Sequence, residues 1–207
     1  SCPKFLGIAD VLRSMFPDLP EIIRPYFSMA KSNHKWYHLF FKAFGIGWKF
    51  TKNPYRIVKA IIHALNAHKS YHKSLHLSDQ TIEQWESGLI QLHEFDSHSA
   101  DEKRSNALKI ALVGHSYVLN DPLASLNIQK KIQDFNVDYI TSEQMPRHLI
   151  EKQMQKLEQN MFFQYEREIL GTIMHYLENE KVDGIIHIII FSCGPDSIVG
   201  ELASRMA

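Results

Sequence analysis

"LKIALVGHSYVLND", Leu108 to Asp121, is the stretch that decides how this chain of 207 residues folds. Leu108–Gly114 is almost continuously apolar and ends on a glycine, the pattern of a strand covered on both faces; a half-buried strand would alternate. A polar loop follows, and "NDPLASLNIQKKIQDF" then predicts a helix with Asp121 as its N-cap and Pro122 at its first position. "VDYIT" (Val137–Thr141) is a second strand. "SEQMPRHLIEKQMQKLEQ" predicts a turn and helix, and "MFFQYEREILGTIMHYLENE" a longer helix. "VDGIIHIIIF" (Val182–Phe191) is a third strand, buried like the first, with the helix "DSIVGELASRM" after it. Strand and helix in alternation imply a parallel sheet with helices on both faces: a three-layer, Rossmann-like α/β domain over 107–207. Ligands of such sheets bind beyond the carboxyl ends of the strands. The loops "GHSYVLND" and "SCGPDS" (Ser192–Ser197) should therefore face one crevice.

Upstream, the character changes to an α-helical segment that precedes the sheet. Ile8, Val11, Leu12 and Met15 share one helical face, and Pro17 and Pro20 end that helix. "IIRPYFSM" (Ile22–Met29) predicts a short edge strand, because Pro25 lacks a ladder donor. Residues 32–98 are expected to be helical: an aromatic helix in "HKWYHLFFKAFGIGWKF", an amphipathic one over Tyr55–Leu77, and a third capped by Ser78 or Asp79. That third helix would carry Ile82, Trp85, Leu89, Leu92 and Phe95. The expected divisions are thus 1–31 (a Cys-Pro turn, helix and short strand of an α/β unit), 32–98 (helical), 99–106 (linker) and 107–207. The chain begins on a Cys-Pro turn and stops inside a helical pattern, so a piece of a longer protein is expected.

Lys plus Arg and Asp plus Glu each number 23, so no net field draws nucleic acid or acidic membrane. The longest apolar run, Ile185–Phe191 interrupted by His187, is too short to cross a bilayer. With two cysteines and no signal peptide, a cytoplasmic location is the plain expectation.

The chemistry-bearing candidates follow from the loops. Cys193 leaves a strand on a tight turn, Gly194 permits close backbone approach, and Asp196 is placed to cap the following helix. A thiolate there is either reactive or a metal ligand if it is not simply packed. Cys2 stands in a similar turn, "SCPKFLG". His115, Ser116, Tyr117, Asn120 and Asp121 can all hydrogen-bond into the crevice, as can Ser197. His68, His72 and His76 have chelating spacing on one helix, although the seam there also simply turns polar. His187 alternates within an apolar strand and is expected to be a satisfied core histidine. "GHSYV" fails the G-x-S-x-G pattern at Val118, and no Gly-Lys-Ser/Thr phosphate loop is present.

Taken together, "CPKFLG", "IALVGHSYVLNDPLASLNIQKKIQDFNVDYITSEQMP" and "FSCGPDS" resemble the 2-hydroxyacyl-CoA dehydratase component family, in its activase-related DUF2229-type branch. The Gly-x-x-Tyr-x-x-x-Asp pattern with a following Asn falls on Gly114, Tyr117, Asp121 and Asn127. The resemblance implies α/β domains that present single cysteines to a [4Fe-4S] cluster, here Cys2 and Cys193. It also implies electrons delivered by an ATP-dependent activator (a CoA-substrate-specific enzyme activase) and an acyl-CoA substrate; a homodimer is compatible with it. Two cysteines are fewer than a cube requires. The remaining ligands are expected upstream of Ser1 or from other residue types, and this piece should hold the cluster incompletely or not at all. The alternatives are a non-catalytic α/β module that binds a small ligand or the activator, and a hydrolase using Ser116 or Cys193.

Overall fold

The computed structural model describes residues 3–16, 18–25, 36–93, 108–158, 161, 163–191 and 193–206. They belong to two compact units, Ser1–Lys73 and Ser74–Ala207.

The first unit holds α1 (Pro3–Met15), α2 (Trp36–Phe50) and most of α3 (Pro54–Leu75). Asn53 starts α3 by accepting the Arg56 N–H through its side chain, and Pro54 takes the first helical position. Gly47 is where α2 and α3 touch: a Cβ there would lie 2.6 Å from the buried Ile57 side chain. The strand expected over Ile22–Met29 is not formed in its described part, where 22–25 are irregular. Arg24 pairs with Asp10 there, and the preceding Glu21 pairs with Lys49, both at the surface. Residues 26–29 lie outside the described residues.

The second unit opens with α4 (Asp79–Glu86), capped by Ser78, whose Oγ accepts the Thr81 N–H at 3.1 Å. The helix does not run on to Phe95 as its apolar spacing suggests. Gly88 adopts φ +79°, and the N–H groups of Gly88 and Leu89 close back onto the Trp85 and Gln84 carbonyls. That glycine-terminated cap ends the helix.

Three strands, β1 (Leu108–Gly114), β2 (Val137–Thr141) and β3 (Gly184–Ile188), form a parallel sheet in the order β2-β1-β3. Between β1 and β2 lie α5 (Ser116–Leu119) and α6 (Ile128–Asp134). The single helix expected over Asn120–Phe135 is thus two, because Leu126 and Asn127 take φ +54° and +56°. Asp121 caps a turn rather than a helix, its Oδ1 accepting from Leu123 N at 2.8 Å and Ala124 N at 3.0 Å. α7 (Arg147–Met154) and α8 (Gln164–Asn179) follow β2, and α9 (Gly194–Met206) follows β3.

Alternation along β1 sorts the layers. Ala111 and Val113 face a core with Trp85 of α4, Ile150 of α7, Leu170 and Ile173 of α8 and Val199 of α9. Leu112 faces the opposite layer, with Leu119 of α5 and Ile132 of α6. Each buried Val, Leu or Ile among them contributes about 1.5–3 kcal/mol by leaving water. The unit is a Rossmann-like three-layer α/β sandwich. β3 is less covered than its composition predicts: it forms one margin of the described sheet, and Ile189 and Phe191 beyond it are exposed. Among the described residues, no helix is long and apolar enough to cross a membrane.

Candidate functional site

The register pairs Gly114 of β1 with Ile188 of β3, so both strands deliver their following loops to the same end of the sheet. A Cβ on Gly114 would lie 2.9 Å from the Ile188 carbonyl oxygen and 3.2 Å from the Leu119 side chain. Glycine is what lets β1 approach β3 this closely and turn at once. His115 follows in an extended conformation and leads into α5 with its side chain buried. From the other strand, Cys193 donates its N–H to the Ile190 carbonyl and stands immediately before α9. Its own carbonyl accepts from Ser197 N at 3.1 Å and Ser197 Oγ at 2.8 Å.

These two loops bring together residues 78 positions apart: Cys193 Sγ lies 3.8 Å from His115 Nε2. The same ring nitrogen is 3.7 Å from Asp196 Oδ2. Asp196 does not cap α9 as its spacing suggested. It is fully buried and folds back onto the end of β3, where Oδ2 accepts the Ile190 N–H at 3.2 Å and Oδ1 lies 2.9 Å from His187 Nε2. His187 is the satisfied core histidine that the strand pattern predicts, and its partner makes it part of this site. Burial opposes the charge on Asp196. The His187 and Ile190 hydrogen bonds, and the charges of His187 and His115, outweigh it and hold the carboxyl below its ordinary value.

The other candidates are dispersed. Tyr117 stacks on His115 with ring centroids 5.2 Å apart, and Tyr165, a residue the sequence did not single out, meets the same ring edge-on at 5.3 Å. Ser116 opens α5. Asn120 reaches away to Glu143, and Asn127 adopts a left-handed conformation before α6 without a side-chain cap. Gly194 is not sterically required, since a Cβ there would meet nothing within 4 Å. In the first unit, His68 and His72 pack edge to face at 4.3 Å. Cys2 and Ser192 lie outside the described residues.

Both acidic and thiol groups face the same nitrogen of His115, which decides what the trio can do. A nucleophile relay needs one ring nitrogen on the nucleophile and the other on the carboxylate. Here His115 Nδ1 is buried without a hydrogen-bond partner among the described residues. The geometry does not form a thiol-hydrolase relay.

A second buried carboxylate, missed in the sequence, is Asp138 on β2. Its Oδ2 accepts from Trp85 Nε1 at 2.7 Å and Leu92 N at 2.9 Å; Oδ1 accepts from Tyr139 N at 3.1 Å and lies 3.0 Å from His93 Nδ1. His93 also stacks on Tyr139 at 3.8 Å. Asp138 thereby fastens α4 and the segment after it to the sheet.

Residues 1–145 match the family described as CoA enzyme activase uncharacterised domain (DUF2229). The chain belongs to this family. The matched span holds β1, the His115 loop and β2 with Asp138, whereas Cys193, Asp196 and His187 lie beyond it. Searches of curated proteins and of solved structures returned no match.

Proposed function

We propose that this chain is an electron-transfer or reductase component of a CoA enzyme activase system, related to 2-hydroxyacyl-CoA dehydratases. It works with an ATP-dependent activator on an acyl-CoA and presents Cys193 to a [4Fe-4S] cluster. The observation that carries this reading is the Cys193 thiol at the carboxyl end of a parallel sheet, just before α9, in a chain of the CoA enzyme activase family.

The donor chemistry fits one corner of such a cluster. Cys193 is half-buried, borders the open position at Gly194, and precedes a helix whose first N–H groups favour negative sulfur. His115 and Asp196 do not supply other corners. Ligands of a cube sit on different irons, whereas these donors crowd the same sulfur. The other corners are left to ligands outside the described residues. When bound, the cluster would supply one-electron transfer. The chain's part is to hold the thiolate still: the Cys193 carbonyl is anchored by Ser197, and the His115 ring shields the thiol from one side.

Anaerobic reconstitution of the intact protein with iron and sulfide, followed by optical and EPR spectroscopy, tests this. A cluster signal in the wild type that is lost in Cys193→Ala is the expected result. Iron uptake unchanged in Cys193→Ala, or none in the wild type, overturns it and leaves a ligand-binding module.

A further inference from the structure

We propose that His115, Cys193 and Asp196 form a binding site for one divalent transition-metal ion of the zinc class, distinct from a cluster corner. The first observation is spacing. The three donor atoms all lie within 4.8 Å of one another, with Nε2 3.8 Å from Sγ and 3.7 Å from Oδ2. An N···O gap of 3.7 Å is too long for a hydrogen bond. It is close to the edge of a tetrahedral metal shell: zinc bonds of about 2.0–2.3 Å place neighbouring N, S and O donors about 3.4–3.6 Å apart. The two edges that meet at His115 Nε2 thus need a contraction of only a few tenths of an ångström to hold a shared ion, and the third, between sulfur and oxygen, lies within 4.8 Å.

The second observation is a fully buried carboxylate that is balanced, among the described residues, by histidines alone. Asp196 is fully buried, and its partners among the described residues are the His187 and His115 rings and one backbone N–H, with no lysine or arginine. A carboxylate removed from water needs a cation or a full set of donors. His187 engages Oδ1 and so turns Oδ2 toward His115, the second-sphere arrangement that orients a ligating carboxylate. One nitrogen, one sulfur and one oxygen suit zinc and its neighbours rather than magnesium or calcium. Three protein donors leave a fourth position for water or an incoming ligand, as in zinc sites that exchange. With Nε2 on the ion, His115 Nδ1 carries the ring proton and has no partner among the described residues, making His115 the least firmly held ligand.

The inference uses Cys193 but does not rest on the cluster reading. One sulfur cannot serve both occupants in these positions, so a bound zinc-class ion blocks cluster assembly there.

Intact protein, stripped of metal and kept reduced, is titrated with Co²⁺ as a spectroscopic probe and then with Zn²⁺. The expected result is one cobalt per chain, with a thiolate-to-cobalt charge-transfer band and tetrahedral visible bands, displaced by zinc. His115→Ala and Asp196→Asn should each weaken binding at least tenfold, and His187→Gln by about 10–100-fold. Circular dichroism establishes that each variant is folded. Should Asp196→Asn fail to fold, Cys193→Ser serves, and must lose the charge-transfer band. Absence of that band in the wild type, or a band undiminished in folded His115→Ala, overturns the proposal. Iron and sulfide reconstitution of the same wild-type and His115→Ala proteins separates the two readings. A cluster without a cobalt site sinks only this inference; a cobalt site without a cluster sinks only the cluster.

Discussion

Asp138 and Asp196 are the two most deeply buried carboxylates among the described residues of the second unit, and they are built for opposite purposes. Asp138 sits on β2 with each oxygen contacted twice, by an indole N–H, two backbone N–H groups and an imidazole. Asp196 follows β3 with one oxygen on His187, while the other takes one backbone N–H and faces a histidine and a thiol beyond hydrogen-bond reach. A saturated carboxylate is spent on holding the fold. An unsaturated one, equally buried, is left with capacity for a ligand.

The largest effect should come from breaking the saturated site. Asp138→Ala strands the Trp85, Leu92 and His93 groups in the interior and should cost about 3–5 kcal/mol in urea denaturation. A cost under about 1 kcal/mol would erase the contrast. Next, Gly114→Ala forces a Cβ against the Ile188 carbonyl and should cost about 1–3 kcal/mol, with the His115–Cys193 approach loosened. Asp196→Asn keeps an acceptor for His187 or Ile190 and should cost only about 1 kcal/mol.

A pH dependence beside Asp138 sharpens the same comparison. Burial, and then the Asp138 charge, push the Tyr139 hydroxyl from 10.0 up to about 12. The folded state holds that proton more tightly than the unfolded chain. Its contribution is therefore complete below pH 10 and is lost as pH rises toward about 12. Tyr139→Phe should flatten that part of the stability profile, and an unchanged alkaline limb would contradict the burial account.

The sheet was legible because β1 and β3 are nearly continuous apolar runs, and the crevice because parallel sheets present loops at one end. The details that failed depended on single torsions or on distant partners. Gly88 announced the end of α4, but Leu89 and Leu92 continued the helical period beyond it. Nothing in "PLASLN" announces that a leucine and an asparagine will both take left-handed torsions. Asp196 stood in capping position, and its choice of His187, nine residues back on a strand, appears only once β3 and α9 are packed. Asp138 left a clue, an acid within an apolar strand. Its four contacts come from 45 to 53 residues upstream and from the next residue, which no spacing rule connects.

The division of labour between the carboxylates is the central claim, and one paired measurement tests it. Asp138→Asn and Asp196→Asn are compared for urea midpoint and for cobalt binding in the same reduced preparations. The account predicts that Asp138→Asn loses more stability and retains a one-to-one cobalt site, while Asp196→Asn costs only about 1 kcal/mol and loses the site. The reverse pattern, or equal losses of both properties in both variants, would contradict it.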